Sequence, residues 1–332
     1  MRAGIVVIGR NEGTRLQRAL AAAAAAGAPL LYVDSGSSDG SPALARALGV
    51  EVLELDPARP FSAARARNEG FARLAALHPE LGAVQLVDGD CALDPGWLPR
   101  GLAALEAEPR VAVVAGRLRE RHPEASVYNR LCALEWQRPP GEARAVGGIF
   151  LVRAAAFRAA RGFRDDVVAA EEDELCLRLR RRGGRVLQLD ADMATHDAAM
   201  TRFSQWWRRA RRAGQAYAQG ADLHGDGAER HFVADVRRIL LWALLLPAAA
   251  LLPAWPTRGG SLLLLLAYPL QLARIYRAGR RRGWSPEEAL PYAFFVLLAK
   301  LPGLLGLLEY RWRRLRGQSP ALIEHKQAGS PS

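Results

Sequence analysis

Residues 83–90 read Ala-Val-Gln-Leu-Val-Asp-Gly-Asp. An apolar run this short, ending abruptly in polar residues, suits a strand buried on both faces. The run stops at Asp88, so the carboxylates of Asp88 and Asp90 emerge at the strand end, with Gly89 between them leaving room for a ligand. Two carboxylates one residue apart can hold a hard divalent cation while leaving positions open to phosphate oxygens. Asp-Gly-Asp is also a common turn, and the flanking sequence has to decide between the two.

Working upstream, apolar strand-like runs alternate with helical ones. Ala3–Ile8 is β-branched and ends at Gly9-Arg10-Asn11-Glu12; a helix follows over about 14–26, stopped by Gly27 and Pro29. Leu30–Val33 is a second strand ending at Asp34, 41–48 a helix, 50–55 a third strand and 65–77 a helix. Downstream come a helix over 97–107, strands over 111–116, 147–152 and 185–189, and a helix over 173–182, with a polar stretch at 117–144 that reads as irregular or partly helical. This alternation predicts an α/β domain on a parallel sheet, whose ligands lie at the carboxyl ends of the strands. Asn11, Glu12, Asp34, Asp88 and Asp90 are therefore expected to converge on one crevice.

Two further stretches can carry chemistry. Residues 32–41 read Tyr-Val-Asp-Ser-Gly-Ser-Ser-Asp-Gly-Ser, a strand delivering Asp34 to a small flexible loop that could accept a base and ribose. Ser38 or Asp39 would equally cap the next helix. Glu171, Glu172, Asp173 and Glu174 stand in a row before an apolar helix. Such crowding raises a carboxylate's pKa toward proton transfer, and it is also what a helix N-terminus favours. Cys91, Cys132 and Cys176 are odd in number, widely spaced and without a CxxC pair or a nearby His at ligand spacing, so they read as ordinary reduced residues. The apolar stretch at the N-terminus is too short for a signal peptide, and this part is expected to stay in the cytoplasm.

The 332 residues carry a net charge of +12, which suggests an anionic partner. Residues 1–200 hold 26 Arg and 26 acids, so the whole excess belongs to residues 201–332. That part also contains the apolar runs 239–255, 259–273 and 289–308. Basic residues interleaved with apolar runs disfavour a nucleic-acid binder and favour a membrane-facing region. The first two runs span roughly 25 and 22 Å as helices, a little short of a ~30 Å hydrocarbon core. Joined by Pro256-Thr257-Arg258 and flanked by Arg237, Arg238, Arg277 and Arg280–Arg282, they read as a hairpin with both flanks inside. A crossing by the third run would put Arg311, Arg313, Arg314 and Arg316 outside, so a re-entrant or interfacial segment is expected there. The alternative is a soluble α-subdomain in which all three runs are buried.

Six ordered stretches together resemble the family-2 glycosyltransferases of the GT-A fold. They are Val-Val-Ile-Gly-Arg-Asn-Glu (6–12), the 32–41 loop, Ala-Arg-Ala-Arg-Asn-Glu-Gly (64–70), Leu-Val-Asp-Gly-Asp-Cys (86–91) with Pro-Gly-Trp-Leu (95–98), Gly-Gly-Ile-Phe-Leu-Val-Arg (147–153) with Gly-Phe-Arg-Asp-Asp (162–166), and the 171–183 helix. The resemblance covers about residues 3–200. It implies that Gly9, Asn11, Glu12, Asp34, Arg67, Asp88, Gly147 and Gly148 bind the nucleotide-sugar. It also implies that Asp88 and Asp90 form an Asp-x-Asp site for a divalent metal, Mn2+ or Mg2+, with His196 as a third ligand. The acidic cluster falls on the family's Glu-Asp motif, whose second acid is the catalytic base. Counting back from Leu175 assigns Glu172, with Glu where Asp is usual, and Asp173 competes if the register slips by one.

Residues 205–209, Gln-Trp-Trp-Arg-Arg, partly resemble the QxxRW motif of processive polysaccharide synthases, but Arg replaces the final Trp, and they read better as an interfacial helix. The expected organisation is a GT-A domain over 1–200, an amphipathic interfacial linker over 201–235, a helical membrane region over 236–316 (hairpin about 238–276, re-entrant or interfacial segment about 287–310) and a flexible tail over 317–332. The expected activity is inverting sugar transfer from a nucleotide diphospho-sugar donor to a glycan or lipid-linked acceptor, at the cytoplasmic side of a cell inner membrane and without nucleic acid. The competing classes are a catalytically inactive membrane scaffold and a nucleic-acid binder acting through the basic tail.

Overall fold

The computed structural model describes residues 1–167 and 169–318; of the expected tail, the part beyond Gln318 lies outside the described residues. In chain order the first elements are β1 (Ala3–Gly9), α1 (Thr14–Ala24), β2 (Leu30–Asp34), α2 (Ser41–Ala47), β3 (Glu51–Glu54), α3 (Ala63–Leu77), β4 (Ala83–Asp88) and β5 (Cys91–Leu93). Then come α4 (Trp97–Ala107), β6 (Val111–Glu120), α5 (Val127–Glu135), β7 (Gly141–Glu142), β8 (Phe150–Arg153), α6 (Ala154–Ala159), α7 (Glu171–Arg181) and β9 (Arg185–His196). The described residues form two compact units, one of Met1–Pro123 with Cys132–Ala199, the other of Glu124–Leu131 with the chain from Met200 onward.

The first unit is built on a nine-stranded sheet in the order β3-β2-β1-β4-β8-β6-β9-β5, with β7 also pairing β9. β1 runs parallel to β2 and β4, and its apolar residues from Ala3 to Ile8 are all buried, which explains their unbroken hydrophobic run. α1 buries Leu16, Ala19, Leu20 and Ala23, the spacing of one helical face. The sheet is mixed where the spacing predicts a parallel one: β8 enters antiparallel between β4 and β6, and β5 and β7 pair antiparallel with β9. Two strands also outrun their apolar cores. β6 continues to Glu120 and β9 to His196, because backbone pairing between them carries polar residues that hydrophobic periodicity reads as loop.

In the second unit, α8 (Phe203–His224) and α9 (Val233–Leu240) are followed by a π-helical turn over 241–245, α10 (Leu246–Leu251), a 3-10 segment over 260–266 and α11 (Ala267–Arg281). The expected hairpin is present as two interrupted arms. They are joined by a hydrogen bond from the Ser261 hydroxyl to the Ala250 carbonyl at 2.7 Å and by the Trp242–Tyr268 ring contact at 5.5 Å. α12 (Pro286–Leu298) and α13 (Lys300–Leu315) form the one described helix, Pro286–Leu315, long and apolar enough to cross a membrane. Membrane association is thus suggested by length and composition.

Candidate active site

The sheet register explains why polar residues collect at one place. Gly9 lies beside Asp34 across β1 and β2, and Ile8 beside Asp88 across β1 and β4, so three carboxyl ends form one row. Asp34 is buried and accepts hydrogen bonds from the Tyr32 hydroxyl and the Ser37 amide, both at 2.7 Å. The loops after β1 and β2 are tied together. The Asn11 amide donates to Ser37 Oγ at 2.9 Å, Asn11 Oδ1 accepts from the Ser38 amide at 2.8 Å, and Asp39 accepts from the Gly13 amide at 2.9 Å. Asn11 adopts φ 54°, a left-handed conformation that Asn tolerates better than most residues. Glu12 is buried, pairs with Arg15 at 2.9 Å, and lies close over Gly89.

At the centre is Arg67, only 2% exposed on the inward face of α3. Its guanidinium donates to Asp88 Oδ1 at 2.8 Å, Glu172 Oε1 at 2.9 Å and Glu171 Oε1 at 3.0 Å, and it lies over the Phe163 ring at 5.5 Å. One cation thus holds three carboxylates delivered by β4 and by the first turn of α7. Burial opposes the guanidinium's charge, but the carboxylates, Asp88 foremost, hold it protonated more firmly than an ordinary arginine. Burial, reinforced by the Glu171 carboxylate and only partly offset by Arg67, pushes the Glu172 carboxyl up to about 7. Glu172 is therefore poised to take a proton near neutrality. Asp173 follows about 100° round the helix and is half-buried.

Gly148 roofs this network. A methyl group there would lie 2.6 Å from Arg67 Nη2, 2.8 Å from Asp88 Oδ2 and 3.1 Å from Glu172 Oε1, whereas one at Gly147 would meet open space. The glycine pair is thus asymmetric: only the second is needed for close approach of backbone to the carboxylates.

Asp90 belongs to a neighbouring cluster. Its carboxylate is inaccessible to solvent and lies 3.3 Å from His196 Nε2, while His196 Nδ1 is 3.5 Å from Glu120 Oε2 and the Trp136 ring meets the imidazole edge-on at 4.6 Å. Glu120 also accepts from the backbone amides of Ala198 and His122, each at 3.2 Å. The donor atoms of Asp90, Cys91 and His196 all lie within 4.8 Å of one another. Cys91 is thus not the isolated cysteine its spacing suggests, because the β5–β9 pairing sets it opposite His196. A carboxylate and an imidazole side by side, with Glu120 orienting the ring, fit a divalent cation. Sequence reasoning missed Glu120 and Trp136, which lie at the start of and within the stretch it reads as irregular. Their only sequence signal is an acid and an aromatic without an apparent structural role.

The model of Glycosyl transferase family 2 matches residues 4–169, half of the chain. Mannosyltransferase PcManGT from Pyrobaculum calidifontis, in complex with GDP-Man and Mn2+, is similar in structure with a TM-score of 0.60 at 19% identity, over 94% of this chain and 88% of that one. S. aureus TarS 1-349 in complex with UDP is similar with a TM-score of 0.50 at 14% identity, over 96% and 92%. Against another S. aureus TarS chain, with a TM-score of 0.48 at 13% identity over 77% of this chain, the chain spans 47% of that chain's length. No curated protein matches. At these identities the structural likenesses show the fold, a GT-A-like α/β domain with a C-terminal helical region. The family match carries the enzyme class, a glycosyltransferase: the chain belongs to glycosyl transferase family 2.

Proposed function

We propose that the chain is an inverting glycosyltransferase that moves a sugar from a nucleotide diphospho-sugar to a hydroxyl of a lipid-linked or envelope-polysaccharide acceptor. The observation that carries this reading is the Arg67 network, which fixes Glu172 beside Asp88 under the Gly148 backbone. The donor is accepted along the row of strand ends, with Gly9, Asn11, Glu12, Asp34 and Asp88 on the nucleotide side and Gly147 and Gly148 above the sugar. Asp88, Asp90 and His196 would hold a divalent cation, Mn2+ or Mg2+, which when bound supplies charge neutralisation to the departing diphosphate.

Glu172 acts on the acceptor. One of its oxygens is held by Arg67, and the carboxylate takes the hydroxyl proton. As that proton moves, the acceptor oxygen bonds to the anomeric carbon and the bond from that carbon to the diphosphate oxygen breaks, its electron pair leaving with the nucleoside diphosphate. A single in-line displacement through an oxocarbenium-like state inverts the centre, so an α-linked donor gives a β-linked product. Arg67 is a positioning residue: it keeps Glu172 and Asp88 in register without touching the reacting atoms. Glu172 faces this network and Asp173 is offset from it round the helix, which favours Glu172 as base.

The second unit is read as the membrane-associated part, placing the enzyme at the cytoplasmic face of a cell inner membrane near a lipid-borne acceptor. A screen of nucleoside diphospho-sugars for metal-dependent thermal stabilisation identifies the donor, because a ligand binding only the folded state raises its stability. The anomeric configuration of the product, read by NMR, then tests the displacement. A retained configuration rejects the single-step mechanism.

A further inference from the structure

Among the described residues, every large apolar side chain left exposed lies in the second unit, apart from Met1, Leu48 and Leu77. On α13 these residues are ordered. Leu301, Leu305, Leu308, Trp312 and Leu315 recur at alternating steps of four and three, which places them in one stripe along the helix. The other side of α13 buries Gly303, Gly306, Leu307 and Tyr310. Against it lies α8, so close that a methyl at Gly214 would strike the Gly303 carbonyl and one at Gly306 the Arg211 carbonyl. Ion pairs secure the contact: Arg211 with Glu309 at 2.6 Å, Arg311 with Asp222 at 2.8 Å, and Arg314 with Asp222.

This packing bears on how the unit meets lipid. If Pro286–Leu315 crossed a bilayer, α8 would have to enter the hydrocarbon with it, taking Arg208, Arg211, Arg212, Gln215 and Asp222 along. Charged groups are rare in lipid unless they face a protected interior, and the side chain of Gln215 is fully buried with neither its nitrogen nor its oxygen hydrogen-bonded. The hairpin is no better suited to crossing: its apolar runs span only roughly 25 and 22 Å as helices, short of a ~30 Å hydrocarbon core, and its tip carries Arg258. Its apolar side chains are nonetheless among the most exposed of the described residues, with Trp255 93% and Leu252 82% accessible. Arginines border these surfaces at Arg277 and Arg280–Arg282, at the C-terminal end of α11, and at Arg316, whose guanidinium stacks on Trp312 at 4.3 Å. An apolar face with an arginine margin matches one lipid leaflet, acyl chains against the leucines and anionic headgroups against the guanidinium groups.

We infer that the second unit enters a single leaflet of an anionic phospholipid membrane, through the α13 stripe and the tip of the 241–270 hairpin, and that neither segment crosses. This rests on the membrane-associated reading above and specifies its mode.

The full chain supplies the test, since Cys91, Cys132 and Cys176 are all buried and an introduced cysteine can be labelled selectively. In intact spheroplasts, Arg258→Cys is expected to react with an impermeant maleimide no more than Leu48→Cys on the first unit. Labelling of Arg258→Cys from the periplasmic side overturns the single-leaflet mode while leaving membrane association standing. Recovery of the unmodified chain in the soluble fraction overturns both. In flotation with purified vesicles containing anionic phosphatidylglycerol, Leu305→Asp and Leu308→Asp are each expected to weaken binding roughly three- to tenfold, since each leucine is about half exposed and loses its lipid burial. Leu77→Asp should bind as the parent does. If the two α13 variants bind vesicles normally but change the sedimenting mass, the stripe pairs with a second copy of this chain and the inference fails.

Discussion

Replacing Arg67 with methionine keeps an unbranched stem and removes the guanidinium with its charge. In the native site the guanidinium is 2% exposed and bridges Asp88, Glu171 and Glu172 at 2.8 to 3.0 Å. Breaking a buried ion pair by deleting one partner typically costs about 3–5 kcal/mol, because the surviving charge stays desolvated. Here Glu172 can escape part of that cost by taking up a proton, since it is already held up near 7 with Arg67 in place. An acid whose folded-state pKa is raised above its unfolded value of 4.5 binds its proton more tightly when folded. Its contribution to stability is therefore present below 4.5 and lost as pH rises through the folded value. Without Arg67, which holds it down, the folded value of Glu172 climbs further, so the deficit of the variant grows with pH. For a unit of this size, differential scanning calorimetry of the full chain in detergent should show Arg67→Met melting roughly 6–20 °C lower at pH 8, and distinctly less so at pH 5.5. A melting temperature within ~2 °C of the parent at both pH values would refute the idea that Arg67 neutralises a buried carboxylate cluster.

Further consequences follow from the same geometry. Transfer by the parent enzyme should lose about tenfold per pH unit below about 7 and reach a plateau above it, because Glu172 must be deprotonated to act; an acid limb centred near 4.5 in a pH–kcat/KM profile argues for a different base. Gly148→Ala drives a methyl into Arg67 and Asp88 and should reduce kcat by on the order of 10²-fold through misplacement of the carboxylates, while Gly147→Ala, pointing into open space, should remain near parental. Glu120→Gln should weaken Mn2+ binding, followed by calorimetric titration, by about 10–100-fold, as expected for a partner that orients a metal-binding imidazole.

Much of the first unit is legible from residues alone, because its signals are local. Buried strands such as Ala3–Ile8 and Ala83–Val87 are unbroken apolar runs, and α4 over Trp97–Ala107 is found with its observed limits. What escapes is created by pairing between distant segments. The apolar pattern ends β9 at Leu189, yet the strand runs on to His196 because β6 and β5 supply its backbone partners. That extension is what brings His196, Glu120 and Cys91 around Asp90, a set spread over more than a hundred residues of chain. Arg67 and Asp88 stand out through their motifs, but the meeting of Arg67 with both Glu171 and Glu172 depends on α7 starting at Glu171, two residues before the helix expected from the leucine pattern. In the second unit the apolar runs are plain in the sequence, while the π-helical turn over 241–245 and the 3-10 segment over 260–266 are not.

Glu172→Gln tests the proposed chemistry most directly, since it retains the shape of the side chain and a hydrogen-bonding oxygen for Arg67 while removing the basic carboxylate. With a donor identified, single-turnover transfer and calorimetric donor binding are measured on the same preparation, with Asp173→Asn in parallel. The expected result is a loss of transfer of about 10²–10⁴-fold for Glu172→Gln with donor affinity essentially unchanged, and near-parental transfer for Asp173→Asn. Transfer by Glu172→Gln at close to the parental rate, or a comparable collapse in Asp173→Asn alone, would contradict the assignment of Glu172 as the base.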